Sequence, residues 1–177
     1  MVDESLKELR DGFITVNEHP SHAPVPGHVL ARFDVLSFGA PRVAYQLQHD
    51  FEDRVAYKAY AWLFTDQAVV RACWTGQATG AQRPNTEDVK SIIAWPRRLL
   101  KSISIPREDG TGPYHTNTLW GEEYERNGVW PSGAKLVLDY DSPGEQVVLT
   151  TTRLTSPESL TQFSDFARSL TLDLAAT

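Results

Sequence analysis

Alternation of apolar and polar residues is the strongest pattern in this chain. Over 29–36, Val29, Ala31, Phe33 and Val35 alternate with Leu30, Arg32, Asp34 and Leu36, which predicts a strand. The group Phe38-Gly39-Ala40-Pro41 supplies a turn, after which Val43, Tyr45 and Leu47 alternate against Arg42, Ala44, Gln46 and Gln48. Beyond an acidic bend at 49–53, a long strand is predicted over 54–64. In it Tyr60, Trp62 and Phe64 share one face while Tyr57 points to the other. Its partner over 68–75 carries Val69, Val70, Cys73 and Trp74 and follows the short turn Thr65-Asp66-Gln67. Strands joined so tightly are antiparallel, because a parallel return needs a crossover of about a dozen residues.

Helical periodicity is read in three places. Residues 4–11 form a short helix capped by Asp3, with Leu6 and Leu9 on one face and Gly12 as its stop. Asn85 opens a second helix, with Asp88 in its first turn and Val89, Ile92 and Ile93 as the inward stripe. Pro96 kinks or ends it, and 97–101 resume it. The last helix begins at Ser156 as cap and Pro157 as first residue, and Leu160, Phe163, Ala167 and Leu170 line one side. Before it, Leu136, Leu138 and Tyr140 mark a strand, Ser142-Pro143-Gly144-Glu145 a tight turn, and 146–154 a second, β-branched strand. Residues 17–28, with three prolines and three histidines, read as an extended surface segment, and 105–133 as an irregular one.

The expected architecture is therefore one α+β domain over 1–177, with a helix and Pro/His-rich arm over 1–27 and the sheet and remaining helices over 28–177. A curved antiparallel sheet of about six strands, a four-strand meander plus a C-terminal hairpin, is packed by two amphipathic helices and the short N-terminal one. It forms a half-open barrel or an α/β/α-type sandwich. The closing strands and the helix Leu160-Thr161-Gln162-Phe163-Ser164-Asp165-Phe166-Ala167-Arg168-Ser169-Leu170 look like the end of PsbP-like α/β/α proteins. The resemblance covers roughly 40 residues of amphipathic pattern. It implies that arrangement for this stretch and carries no catalytic residue across.

Composition narrows the class. At 177 residues, 41% hydrophobic and 23% charged, the chain has the mixture of an ordinary globular domain. Seventeen basic against 23 acidic residues, net −6, disfavour a nucleic-acid or anionic-membrane partner. Cys73 is the only cysteine, so an intrachain disulfide and a Cys-rich zinc site are excluded, which fits a reducing compartment. The charged N-terminus lacks the apolar core of a signal peptide, and no run approaches the ~18 apolar residues of a membrane span. A soluble, cytoplasmic protein is expected.

Candidate chemistry is sparse. Tyr45, Tyr57, Tyr60, Trp62, Phe64 and Trp74 lie on adjacent predicted strands, where they form either core or the wall of an apolar pocket. His19, His22 and His28 lack the helix-borne glutamate of a metalloprotease site, and no metal or cofactor is indicated. His49 stands beside Asp50, Glu52 and Asp53, as an acid–base pair or simply as a polar bend. Between Tyr114 and Tyr124, His115 could serve as a base with Glu122 or Glu123 as its partner, while Trp120 pins the segment. Arg97, Arg98, Lys101 and Arg107 form the one basic stretch. No nucleophile elbow, Walker loop or dinucleotide fingerprint is present.

The expected function is a non-catalytic binding or interaction domain. It recognises a partner protein or an apolar small molecule through Tyr45, Tyr60, Trp62, Trp74 and Trp120. The alternative is a small enzyme of cyclase, isomerase or hydrolase type, using Tyr114, His115 and Glu122 in an apolar cavity. A third possibility is a subunit of a homo-oligomer or larger assembly, docked through helix 4–11.

Overall fold

Antiparallel strands and three amphipathic helices make up most of the regular structure among the described residues of the computed structural model. It describes residues 2–16, 25–37, 39–52, 56–77, 87–106, 126, 128, 130–131, 133–141, 146–151, 154 and 156–175. The elements are α1 (Val2–Val16), α2 (Gly27–Ser37), β1 (Arg42–Phe51), β2 (Ala56–Thr65), β3 (Ala68–Gln77) and β4 (Asp88–Pro96). A single 3-10 turn (Arg97–Leu99) precedes β5 (Leu100–Ser104), β6 (Lys135–Tyr140), β7 (Gln146–Thr150) and α3 (Pro157–Ala175). They fall into two compact units, Met1–Arg97 and Arg98–Thr177.

The first unit is the antiparallel meander β1-β2-β3-β4 with α1 and α2 against it. The β2–β3 turn is tight because the Thr65 hydroxyl accepts the Ala68 N–H at 2.9 Å and donates to the Ala68 carbonyl at 3.2 Å. Leu9 and Phe13 of α1 and Val29, Leu30 and Phe33 of α2 fill the helix-facing side of the sheet. There Tyr57, Leu63, Val70 and Trp74 alternate with Ala59, Ala61 and Ala72, small residues that let the helices come close. Arg42, its side chain 6% exposed, ties both helices to β1. Its guanidinium reaches Glu8 at 2.8 Å, Asp34 at 2.9 Å and the Ser5 hydroxyl at 2.6 Å, and Ser5 in turn bonds Asp34.

Three local expectations are overturned here, the first being Gly12 as a helix stop, since α1 runs through it to Val16. The segment 29–36 is helical rather than extended. Its apolar positions fit both periods: Val29, Leu30, Phe33 and Ser37 are buried at helical spacing, while Val35, inward for a strand, is 67% exposed. Of the segment expected to be helical from Asn85, Asp88–Pro96 instead form the edge strand β4, and Asn85 lies outside the described residues. The cause lies in a bulge. Trp74 pairs with Val89 but Cys73 with Ser91, so Lys90 is the extra residue and the strand's parity flips there. Val89 and Ile92 both pack on the core as a result, three residues apart, which imitates a helical stripe. Pro96 is accommodated at the strand's end, opposite Ala68.

The second unit is the antiparallel sheet β5-β6-β7 with α3. Leu136, Leu138 and Tyr140 of β6 and Val147 and Leu149 of β7 are buried, as the alternation predicts. On α3, Phe163, Phe166, Ala167 and Leu170 are buried, and the Ser156 hydroxyl accepts the Ser159 N–H at 3.1 Å as an N-cap. Trp130 and Pro131 are held by two hydrogen bonds. Ser164 accepts the Trp130 N–H at 2.6 Å, and the buried Thr151 hydroxyl donates to the Pro131 carbonyl at 2.6 Å. Residues 97–101, expected to resume a helix, instead form the 3-10 turn and the start of β5.

The α+β class, the four-strand meander and the C-terminal hairpin agree with expectation, in sheets of four and three strands, neither closed into a barrel. No helix among the described residues is long and apolar enough to cross a membrane.

Candidate functional site

The two faces of the β1–β4 sheet are built from different chemistry. On the helix-facing side stand Tyr45, Leu47, Tyr57 and Trp74, in or against a filled core. Phe13 meets the Tyr45 ring edge-on at 5.2 Å, and Gly12 of α1 lies so close that a Cβ there would sit 2.5 Å from that ring. Burial, reinforced by Glu8, pushes the Tyr45 hydroxyl up to about 12. Tyr45 and Trp74 are thus packed beneath the helices, as the core reading has it.

The opposite face carries Tyr60 and Trp62. Their rings stack at 5.8 Å with 15° between planes, and the Lys58 ammonium lies 5.0 Å from the centre of the Tyr60 ring. The Tyr60 hydroxyl beside it holds Lys58 above its ordinary value. Strand register extends this ladder sideways. Gln46, Trp62, Arg71 and Ile93 form one row, and Gln48, Tyr60, Cys73 and Ser91 the next. Gln46, Trp62, Arg71 and Cys73 are buried, whereas Gln48, Tyr60, Lys58 and Ser91 are half-buried. Arg71 approaches the Ser91 hydroxyl at 3.4 Å, and burial pushes its guanidinium down. Among the described residues the indole N–H of Trp62 has no hydrogen-bonding partner.

Of the residues expected to bind a ligand, the fold therefore brings Tyr60 and Trp62 together and sets Tyr45 and Trp74 on the reverse side. Trp120, Tyr114, His115, Glu122 and Glu123 lie outside the described residues, as do His19, His22, Asp53 and Arg107. His49 and Asp50 do not form an acid–base pair. Strand pleating sends them to opposite faces, the imidazole against Tyr57 at 5.3 Å and the carboxylate to the Gln48 amide at 2.8 Å. Arg97 is buried and donates to the Thr65 carbonyl at 3.0 Å, while Lys101 pairs with Asp141 at 3.6 Å. Cys73 is a buried free thiol. Among the described residues no three metal-ligating side chains converge.

Arg71 and Gln46 are residues of this face that alternation along the sequence does not single out. The signal for Arg71 was present, a single charge inside the apolar run Val69-Val70-Arg71-Ala72-Cys73-Trp74. Its meaning depended on register, which places it directly beside Trp62. Compared with protein-family models, with curated proteins and with solved structures, the chain finds no match.

Proposed function

We propose that the first unit is a non-catalytic binding domain whose site is the face bearing Lys58, Tyr60, Trp62 and Arg71. It recognises a partner protein or a small molecule with an apolar body and hydrogen-bond acceptors. One observation carries this reading: two polar side chains, Gln46 and Arg71, are buried in the middle of that face on either side of Trp62, whose ring stacks on Tyr60. Burying such groups costs free energy unless each is paired, a cost the apolar centre of the opposite face avoids, and this supports recognition as the reason for their placement. The accessible margin, Gln48, Lys58, Tyr60 and Ser91, offers donors and an aromatic edge to an incoming ligand. Location in the cytoplasm is part of the same proposal, in keeping with the unbridged thiol of Cys73.

Affinity capture and native mass spectrometry on the full chain from its own host test the proposal, with Lys58→Ala and Tyr60→Ala run in parallel. The expected result is a partner or ligand held by the wild type and bound roughly ten-fold more weakly by both variants. Equal retention by all three proteins, or a monomer carrying nothing, overturns it.

A further inference from the structure

The two edge strands of the β1–β4 sheet differ. The middle of β1 is buried, Leu47 being 1% exposed, whereas in β4 Ala94 is exposed and Ile92 and Ile93 are half-buried. Which backbone groups β4 turns away from the sheet follows from its ladder. The Arg97 N–H donates to the Gln67 carbonyl at 2.8 Å, and Val69 with Trp95, Arg71 with Ile93 and Cys73 with Ser91 continue in the same register. Bonded pairs recur at every second residue of an antiparallel ladder. Ser91, Ile93 and Trp95 therefore direct their N–H and C=O groups to β3, and those of Ile92 and Ala94 point outward. Pro96 stands in the same outward set, where its missing N–H costs no ladder bond. At the other end the bulge at Lys90 breaks the register. The open stretch is 91–95, without a charge, between a bulged lysine and a proline.

We propose that a second copy of this chain adds at the β4 edge, the two β4 strands pairing antiparallel about a two-fold axis at Ile93. The bounds of the open stretch select both the occupant and the register. Lys90 and Pro96 lie equally far from Ile93, so a strand carrying the same two interruptions in reverse order fits without a mismatch. In that register Ile92 exchanges N–H···O=C bonds with the partner's Ala94, and Ala94 with the partner's Ile92, while each Pro96 falls opposite the other Lys90. Moving the axis to Ile92 would set Ala94 against the bulge. Moving it to Ala94 would set Ile92 against a proline with no N–H to donate. Ile93 meets the partner's Ile93 side chain to side chain, as non-bonded pairs do. A strand guarded against pairing carries a charge or a proline in its middle, and 91–95 has neither. Two-fold closure ends the assembly at a dimer. The row Gln46, Trp62, Arg71 and Ile93 then runs on into the same row of the partner, joining the two copies of that face.

Sedimentation equilibrium on the full chain tests this. A short edge-to-edge pairing is at the small end of protein interfaces, so a dimer with a dissociation constant on the order of 100 µM is expected. Ala94→Pro removes an outward N–H and no bond to β3. It should weaken the dimer about ten-fold or more and leave the circular dichroism spectrum unchanged. Register is read by oxidative cross-linking in a Cys73→Ser background, since Cys73 is the chain's own thiol. Ile93→Cys is expected to give a covalent dimer, because the two copies of position 93 face each other across the axis. Ala94→Cys is not, because it faces the partner's Ile92 and the two copies of position 94 are too far apart to bridge. A chain that stays monomeric up to about 1 mM overturns the proposal, whether or not a strand of another protein takes the edge. So does cross-linking at 94 in place of 93, or a dimer that Ala94→Pro leaves intact.

Discussion

One sheet of this protein has two faces that obey different rules. The face under α1 and α2 is apolar at its centre, closed by helices, and spaced with alanines so that Phe13, Phe33 and Trp74 interlock. The other face interrupts its apolar residues with Gln46, Arg71, Gln48 and Lys58 around Tyr60 and Trp62. Strand pleating makes this division possible, since successive residues of β2 contribute to opposite sides. Residue type alone does not decide the role of an aromatic ring: Trp74 and Trp62 lie on neighbouring strands, one in sealed core and one in a polar array.

The contrast is broken most directly by truncating one ring on each side. Phe13→Ala empties space between α1, Phe33 and Tyr45 and is expected to cost about 3–5 kcal/mol in denaturant unfolding. Tyr60→Ala, on the half-buried margin, is expected to cost about 1 kcal/mol or less while weakening binding. Similar losses for the two would refute the division. Next in size is Arg42→Ala. It removes the bonds to Asp34, Ser5 and Glu8, with an expected loss of about 2 kcal/mol in the same measurement, chiefly from Asp34 and Ser5 because Glu8 is solvent-exposed.

Gly12→Ala sharpens the packing side of the comparison. In an exposed helix this change would stabilise, but here the new methyl meets the Tyr45 ring, so a loss of about 1–2 kcal/mol is expected. Tyr45→Leu in the same chain should recover most of it. The smallest effect is one of pH. Folding raises Tyr45 from its ordinary 10 to about 12, so the folded state holds the phenolic proton more tightly than the unfolded state. That contribution is fully present below pH 10 and is lost as pH rises towards 12. Tyr45→Phe should therefore show a shallower fall in stability over that interval in alkaline denaturation curves; an unchanged slope would exclude Tyr45 as a source.

Much of the fold was legible where one period had no rival. Strands β2, β3 and β6 and helix α3 carry unambiguous patterns, and the Ser156-Pro157 start was readable residue by residue. Helix α2 and strand β4 were not, for opposite reasons. Residues 29–37 satisfy two periods at once, and only contact with the sheet selects the helix. In β4 the bulge at Lys90 turns a strand's spacing into a helix's, and that irregularity exists only against the partner strand. The site behaved likewise. Tyr60 and Trp62 could be paired from alternation, but Arg71 and Gln46 join them through strand register.

What the sequence determined by itself is local: which residues alternate, where chains turn, which helix begins at which cap, and that Cys73 has no cysteine within the chain to pair with. These depend on neighbours along the backbone, whose energies do not wait for the rest of the molecule. The tertiary structure alone decided between helix and strand in the ambiguous segments, and which aromatic rings became core. It also decided which polar side chains, Gln46 and Arg71 among them, were buried beside those rings. Those outcomes are set by contacts between residues distant in sequence, where packing and desolvation outweigh intrinsic preference.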